Sequence, residues 1–226
     1  MSYILNIESS TDICSVALSF DDKLIAIVEE KNTMKHSEII AILIEEVLKK
    51  SDKSYSDLSA VSISEGPGSY TSLRVGTSAA KAICYAMNIP LISVNTLYSL
   101  ACPLKKTKES DYFIFSMIDA RRNEVYGSLY YQSLIAIFEN KPIVLDQFDF
   151  NSYLDLDKKI FLTGNGAKKV KLNIENKNII ETDILCSAQN LIKPAFFKFI
   201  NNDFTDMAYF SPNYIKPPNI TIPNVN

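Results

Sequence analysis

Tyr3-Ile4-Leu5-Asn6-Ile7-Glu8, followed by Ile13-Cys14-Ser15-Val16-Ala17-Leu18-Ser19-Phe20, opens the chain and sets its architecture. The first run is apolar and ends at an acid. The second alternates: Cys14, Val16, Leu18 and Phe20 point one way, Ser15 and Ser19 the other. A period of two is that of a strand. Asp21-Asp22-Lys23 makes a turn and Leu24 to Val28 returns, so three strands form an antiparallel meander. Downstream, the spacing predicts a helix over His36–Lys50, a strand over Ala60–Ser64 and a helix from Thr71 to Met87. A strand over Pro90–Val94 and a short helix from Thr96 complete the half.

The same order begins again after Leu104–Ser110, a charged segment without amphipathic period. Tyr112 to Ile118 is a strand ending at Asp119. Glu124–Tyr131 and Leu134–Phe138 continue a second meander. A helix is expected over Phe148–Leu154, a strand over Lys159–Thr163, and a turn at Gly164-Asn165-Gly166 into another helix. Ser187–Ile200 is the last helix. Pro212, Pro217, Pro218 and Pro223 make the end of the tail extended or disordered. We expect an N-terminal lobe over 1–104 and a smaller C-terminal lobe over 105–226. Two such α/β lobes resemble the actin–hexokinase–Hsp70 architecture, a duplicated ribonuclease-H-like fold.

Composition removes several classes of function. The 226 residues carry 23 Lys and Arg against 26 Asp and Glu, a net charge of −3. Such a chain is poorly equipped to grip a phosphate backbone unaided. No apolar run is long enough to span a bilayer, and no basic segment precedes the first apolar run, so a cytoplasmic location is expected. Cys14, Cys84, Cys102 and Cys186 form no C-x-x-C pair, and His36 is the single histidine. Zinc knuckles and H-E-x-x-H chemistry are therefore absent. His36 with Ser69 or a cysteine is the one hydrolytic arrangement left.

The turns test for nucleotide chemistry. Phosphate loops need backbone amides freed by glycine, and an acid to organise Mg²⁺. Glu8-Ser9-Ser10-Thr11-Asp12 has the acid and hydroxyls but no glycine. Asp119-Ala120-Arg121-Arg122-Asn123-Glu124 also lacks one. Glu8, Ser10, Asp119 and Arg121 read as the remains of a cleft. The Arg pair either attracts an anion or sits in a solvated turn paired with Glu. Gly66-Pro67-Gly68-Ser69-Tyr70-Thr71-Ser72-Leu73-Arg74-Val75-Gly76 joins a strand to a helix. It is either an anion site at a helix start or a tight turn with Ser69 or Thr71 as cap. No Lys follows it as in G-x-x-x-x-G-K-[ST], and it is not G-x-S-x-G.

Two helices carry a surplus. Ile40, Leu43, Ile44 and Val47 suffice to cover a sheet, yet Ile39 and Ile42 widen the apolar arc. The next helix offers Gly76, Ala79, Ala80, Ala82 and Ala86, small enough for another backbone to approach. The pair is either a docking face or buried inside the chain.

Ile7-Glu8-Ser9-Ser10-Thr11 with Ser15-Val16-Ala17-Leu18, His36-Ser37-Glu38, the Gly66–Gly76 stretch, Asp119–Tyr126 and Pro212-Asn213-Tyr214-Ile215-Lys216 occur in one order. Together they resemble the TsaB (YeaZ) family, across essentially the whole chain. Glu8 replaces the usual Asp, Tyr70 a Phe, Ser72 a frequent Gly and Lys216 an Arg. The resemblance implies a non-catalytic, cofactor-free subunit of the machinery that makes threonylcarbamoyladenosine beside the anticodon of tRNA. The catalytic paralogue TsaD holds a metal through H-x-x-x-H, where this chain has Thr96 and Leu100. The resemblance further implies a heterodimer with TsaD through the two helices. Ile39, Ile42, Leu43, Leu73, Val75, Gly76 and Ala79 would pack across, and His36, Arg74 and Lys81 would edge the contact. TsaE would dock on the pair, tRNA would be reached only through the partner, and the lone chain would self-pair. An ATPase or kinase relative and a peptidase-like hydrolase are the alternatives.

Overall fold

The computed structural model describes residues 1–31, 35–105, 111–153, 155, 157–171 and 177–216. The first sheet holds β1 (Tyr3–Glu8), β2 (Cys14–Phe20), β3 (Lys23–Glu30), β4 (Leu58–Ser64) and β5 (Leu91–Val94), in the order β3-β2-β1-β4-β5. β1, β2 and β3 are the antiparallel meander, and β4 and β5 lie parallel beside β1. α1 (His36–Lys50) and α2 (Tyr70–Met87) make the parallel crossovers, and α3 (Thr96–Ala101) follows β5. The second sheet repeats the scheme. It holds β6 (Tyr112–Asp119), β7 (Glu124–Tyr131), β8 (Ala136–Val144), β9 (Lys159–Thr163) and β10 (Ile179–Glu181), in the order β10-β9-β6-β7-β8. α4 (Ala167–Lys171) sits between β9 and β10, and α5 (Ala188–Ile200) closes the helical set. This is the expected two-lobe α/β architecture.

The first sheet is covered on both faces. Ile40, Ile44, Val47 and Leu48 of α1 pack with Leu5, Val16, Leu18 and Val61. On the other face Leu191 and Ala195 of α5 meet Ile4, Ala60, Ile92 and Val94. Ser15 and Ser19, on the face of β2 opposite Val16 and Leu18, are wholly buried. A buried hydroxyl is tolerated only when it is bonded. Ser15 donates to Glu29 at 2.8 Å and accepts from the Ala188 amide at 2.9 Å. Ser19 donates to the Ile4 carbonyl at 3.3 Å and accepts from Asn6 at 3.2 Å. The helix that ends the second half of the chain thus completes the core of the first.

Other differences are local. β8 extends to Val144, past the expected Phe138, and β10 is an additional strand of three residues. Among the described residues of 148–154 the chain makes a 3-10 turn, Phe150–Ser152, and not the expected helix, within a cluster of Phe138, Phe148, Phe150 and Tyr153; Leu154 lies outside the described residues. So do 106–110 of the expected lobe boundary, and Pro217, Pro218 and Pro223. The tail before them is tied down. Thr205 bridges to Leu91, the Asn213 amide donates to the Glu65 carbonyl at 2.6 Å, and Tyr214 packs on Tyr70 with ring centres 4.5 Å apart. Lys216 pairs with Glu124. Residues 203–216 therefore run from the edge of the first sheet to the second lobe.

Candidate functional site

Glu8 stands at the end of β1 with no exposed surface. Its Oε1 accepts from the Ser10 amide at 2.7 Å, and its Oε2 has no hydrogen-bond partner among the described residues. The Gly66–Gly76 stretch seals this turn. A Cβ on Gly68 would stand 2.4 Å from the Ser10 carbonyl oxygen, and one on Gly76 would stand 2.2 Å from Ser9 Oγ. The Ser69 amide donates to the Ser10 carbonyl at 2.7 Å. Ser69 holds the N-cap position of α2, but its side chain makes no capping bond and faces Ser72 at 2.9 Å. The glycines therefore let one turn lie on another.

Burial pushes the Glu8 carboxyl above its ordinary range, and hydrogen bonds from Ser10 only partly oppose this. A carboxyl whose folded pKa is raised contributes stability that is complete below the unfolded value. That stability is lost as pH rises through the folded value. Glu8→Gln cannot ionise. Its melting temperature relative to the parent is therefore expected to climb steadily from about pH 4 upward. A gap that stays constant with pH in paired thermal melts would refute the buried-acid assignment.

The second turn is built differently. Asp119 and Arg121 are exposed. The Asp119 carboxylate accepts from the Arg121 amide at 2.7 Å and from Lys169 at 2.5 Å. Glu8 and Ser10 are sealed while Asp119 and Arg121 meet water, so the four do not line one open wall. Thr96 and Leu100 are wholly buried. Thr96 Oγ1 accepts from the Gly66 amide at 3.1 Å, fastening β5–α3 to the glycine stretch. Among the described residues no three His, Cys, Asp or Glu are grouped to hold a metal.

Nucleophile geometry is also plain. Ser72, and not Ser69, is the hydroxyl beside His36, at 3.5 Å from Nδ1. Burial holds His36 below its ordinary pKa, and Nε2 is buried without a partner among the described residues. Burial pushes the thiols of Cys14 and Cys102 up to about 12 and that of Cys84 up to about 11, and raises Cys186 as well. Burial thus acts against the nucleophilic thiolate form at all four cysteines.

The helical pair presents the open surface. Ile42 on α1 is 60% exposed, between the buried Ile40 and Leu43. Ile39, Val75 and Ala79 are half-buried against the core. On α2, Arg74, Ser78, Ala82 and Tyr85 form an exposed row at helical spacing, and Tyr85 is 80% exposed. Leu43, Leu73, Gly76 and His36 point into this chain, at 6% exposure or less for the three with side chains. Gly76 spends its lack of a side chain on Ser9 and Ile63. Lys81 donates to the Phe210 carbonyl at 2.7 Å and so ties the tail to α2. Arg74 lies over the Tyr70 ring at 4.5 Å, and Tyr70 rests on Tyr214. Sequence reading missed Tyr85 and the Tyr214–Tyr70–Arg74 stack. The i+4 row from Arg74 signals the first; the stack depends on the path of the tail.

The chain is similar to known proteins. A family model described as TsaD, tRNA N6-adenosine threonylcarbamoyltransferase, matches residues 23–191. A tRNA threonylcarbamoyladenosine biosynthesis protein TsaB from Buchnera aphidicola subsp. Acyrthosiphon pisum is 38% identical over 128 residues, 56% of this chain and 57% of that one. The Bacillus subtilis TsaB is 27% identical over 218 residues, 94% of this chain and 93% of its own. A Bacillus subtilis tRNA N6-adenosine threonylcarbamoyltransferase is 35% identical over 109 residues, 41% of this chain and 32% of its own. In structure, YeaZ from Pseudomonas aeruginosa superposes with a TM-score of 0.81 at 21% identity, covering 95% of this chain and all of that one. Sequence match over most of the chain and a shared fold agree: the chain belongs to the TsaB (YeaZ) family of tRNA threonylcarbamoyladenosine biosynthesis proteins.

Proposed function

We propose that this protein is a non-catalytic subunit that docks a TsaD-type transferase on the exposed face of α1 and α2 and activates it. The observation that carries this reading is the surface itself. Ile42 stands in water on a helix whose Ile40, Leu43, Ile44, Val47 and Leu48 are buried, and α2 adds the exposed row of Arg74, Ser78, Ala82 and Tyr85. A large apolar side chain at the centre of such a face is the usual anchor of an interface. Ile42, Ile39, Val75 and Ala79 form its apolar part, and Arg74, braced on Tyr70, stands ready for a carboxylate at its edge. The sealed Glu8 turn and the buried thiols support a subunit that leaves bond-making to its partner. In this reading a TsaE-type ATPase joins the assembled pair, the same face self-pairs when the partner is absent, and the assembly works in the cytoplasm.

Reconstitution tests it. The transferase of the same organism, supplied with the threonylcarbamoyl adenylate and unmodified tRNA, is expected to gain turnover when this chain is added at equal concentration. Turnover independent of the chain, or turnover by the chain alone, would overturn the proposal.

A further inference from the structure

The turn between β6 and β7 is held in an unfavourable shape. Arg121 and Arg122 take consecutive left-handed conformations, φ 67° and 47°. Side chains other than glycine rarely adopt this, and two in succession require support from the surroundings. The support is visible. Asp119 accepts from the Arg121 amide, the Asn165 side chain accepts from the Asp119 amide at 2.9 Å, and Lys169 donates to the Arg122 carbonyl at 2.7 Å. The acids of the turn are occupied elsewhere: Asp119 by Lys169 and Glu124 by Lys216. Arg121 and Arg122 are left exposed with no ion pair among the described residues, and Lys168, next in sequence to the Lys169 that holds the turn, is exposed too. The alternative of Arg–Glu pairing is thereby removed. The chain has three arginines, and a rigid turn on a protein of net charge −3 holds two of them.

We infer that the Arg121–Arg122 turn, with Lys168, is a contact site for the phosphate groups of an RNA strand. Guanidinium forks suit phosphate oxygens, and a backbone fixed in advance presents them without an ordering cost. RNA is the anion chosen because the relatives of this chain are named for work on tRNA, so the inference rests on the proposed function. Position supports it. Tyr214 stacks on Tyr70 at the start of α2, and Lys216, two residues on, binds Glu124 of this turn. Two extended residues span about 7 Å. The tail thus links the turn to the start of α2 at the edge of the docking face, on the path an RNA held by a partner would take. This departs from the expectation that tRNA is reached only through the partner.

The test is fluorescence anisotropy with an unmodified tRNA transcript, titrated with the chain alone and with its transferase complex over about 50–200 mM salt. For the complex, Arg121→Gln/Arg122→Gln is expected to weaken binding about tenfold and to lower the log–log salt slope by about two, close to 0.9 per lost phosphate contact. Lys168→Gln is expected to remove about one more. Both variants change exposed side chains only, and their association with the transferase, measured without RNA, is expected to stay at the parent value. Unchanged transcript affinity and slope would overturn the inference. Lost association with the transferase, with transcript binding retained, would assign the turn to an acidic protein surface and overturn it equally. Should the parent chain not bind the transferase at all, the proposed function fails. The titration of the chain alone still reads the arginine turn, where the same fall in slope is expected.

Discussion

Ile42→Glu is expected to weaken association with the transferase at least a hundredfold while leaving the fold intact. The side chain is 60% exposed in the free chain, so a carboxylate there stays hydrated and the melting temperature should move by no more than a degree or two. In the complex the same carboxylate would be stripped of water at the centre of an apolar contact. Leaving a charge unpaired in such a place costs several kcal/mol, and about 1.4 kcal/mol is each tenfold of affinity. Neighbouring Glu45 is exposed too, and Glu45→Gln is the matched control expected to do little. Calorimetric titration of each variant reads the difference. Association unchanged by Ile42→Glu would remove α1 from the interface.

Gly68→Val is expected to lower the melting temperature by about 6–12 °C, from roughly 3 kcal/mol of lost stability at 2–4 °C per kcal/mol. The φ of Gly68 is one that any residue accepts, so the effect is one of space. A Cβ there would meet the Ser10 carbonyl at 2.4 Å and the Ser10 Cα at 2.9 Å, both backbone atoms that cannot step aside. The turn carrying the buried Glu8 would have to shift. Thermal denaturation without any added anion measures this. A glycine kept open for an anion, and not for packing, would leave the unliganded melting temperature unchanged. That result would contradict the sealed-turn description.

Much of this was readable in the residues. The meander of β1 to β3 and its second copy followed from alternation broken by turns, and β7 and β9 began and ended where the pattern said. The crossing of α5 was not readable. Nothing in Leu191 or Ala195 says which of two sheets they cover, and that choice alone buries Ser15 and Ser19. β10 was missed because Ile179-Ile180-Glu181 is too short to show a period. On the helical pair the apolar arc was visible, but its division was not. Leu43 and Leu73 turn inward, Ile42 outward, and only the orientation of each helix on the sheet separates them. The tail hid most. Tyr214 and Lys216 act far from their neighbours in sequence, on Tyr70 and Glu124.

Hydrogen exchange of the full chain with and without the transferase tests the central claim most directly. Slower exchange over residues 36–50 and 70–87 of α1 and α2 on adding the partner, with β8 and β10 unchanged, is the predicted result. Protection confined to the second sheet, or none anywhere, would contradict it.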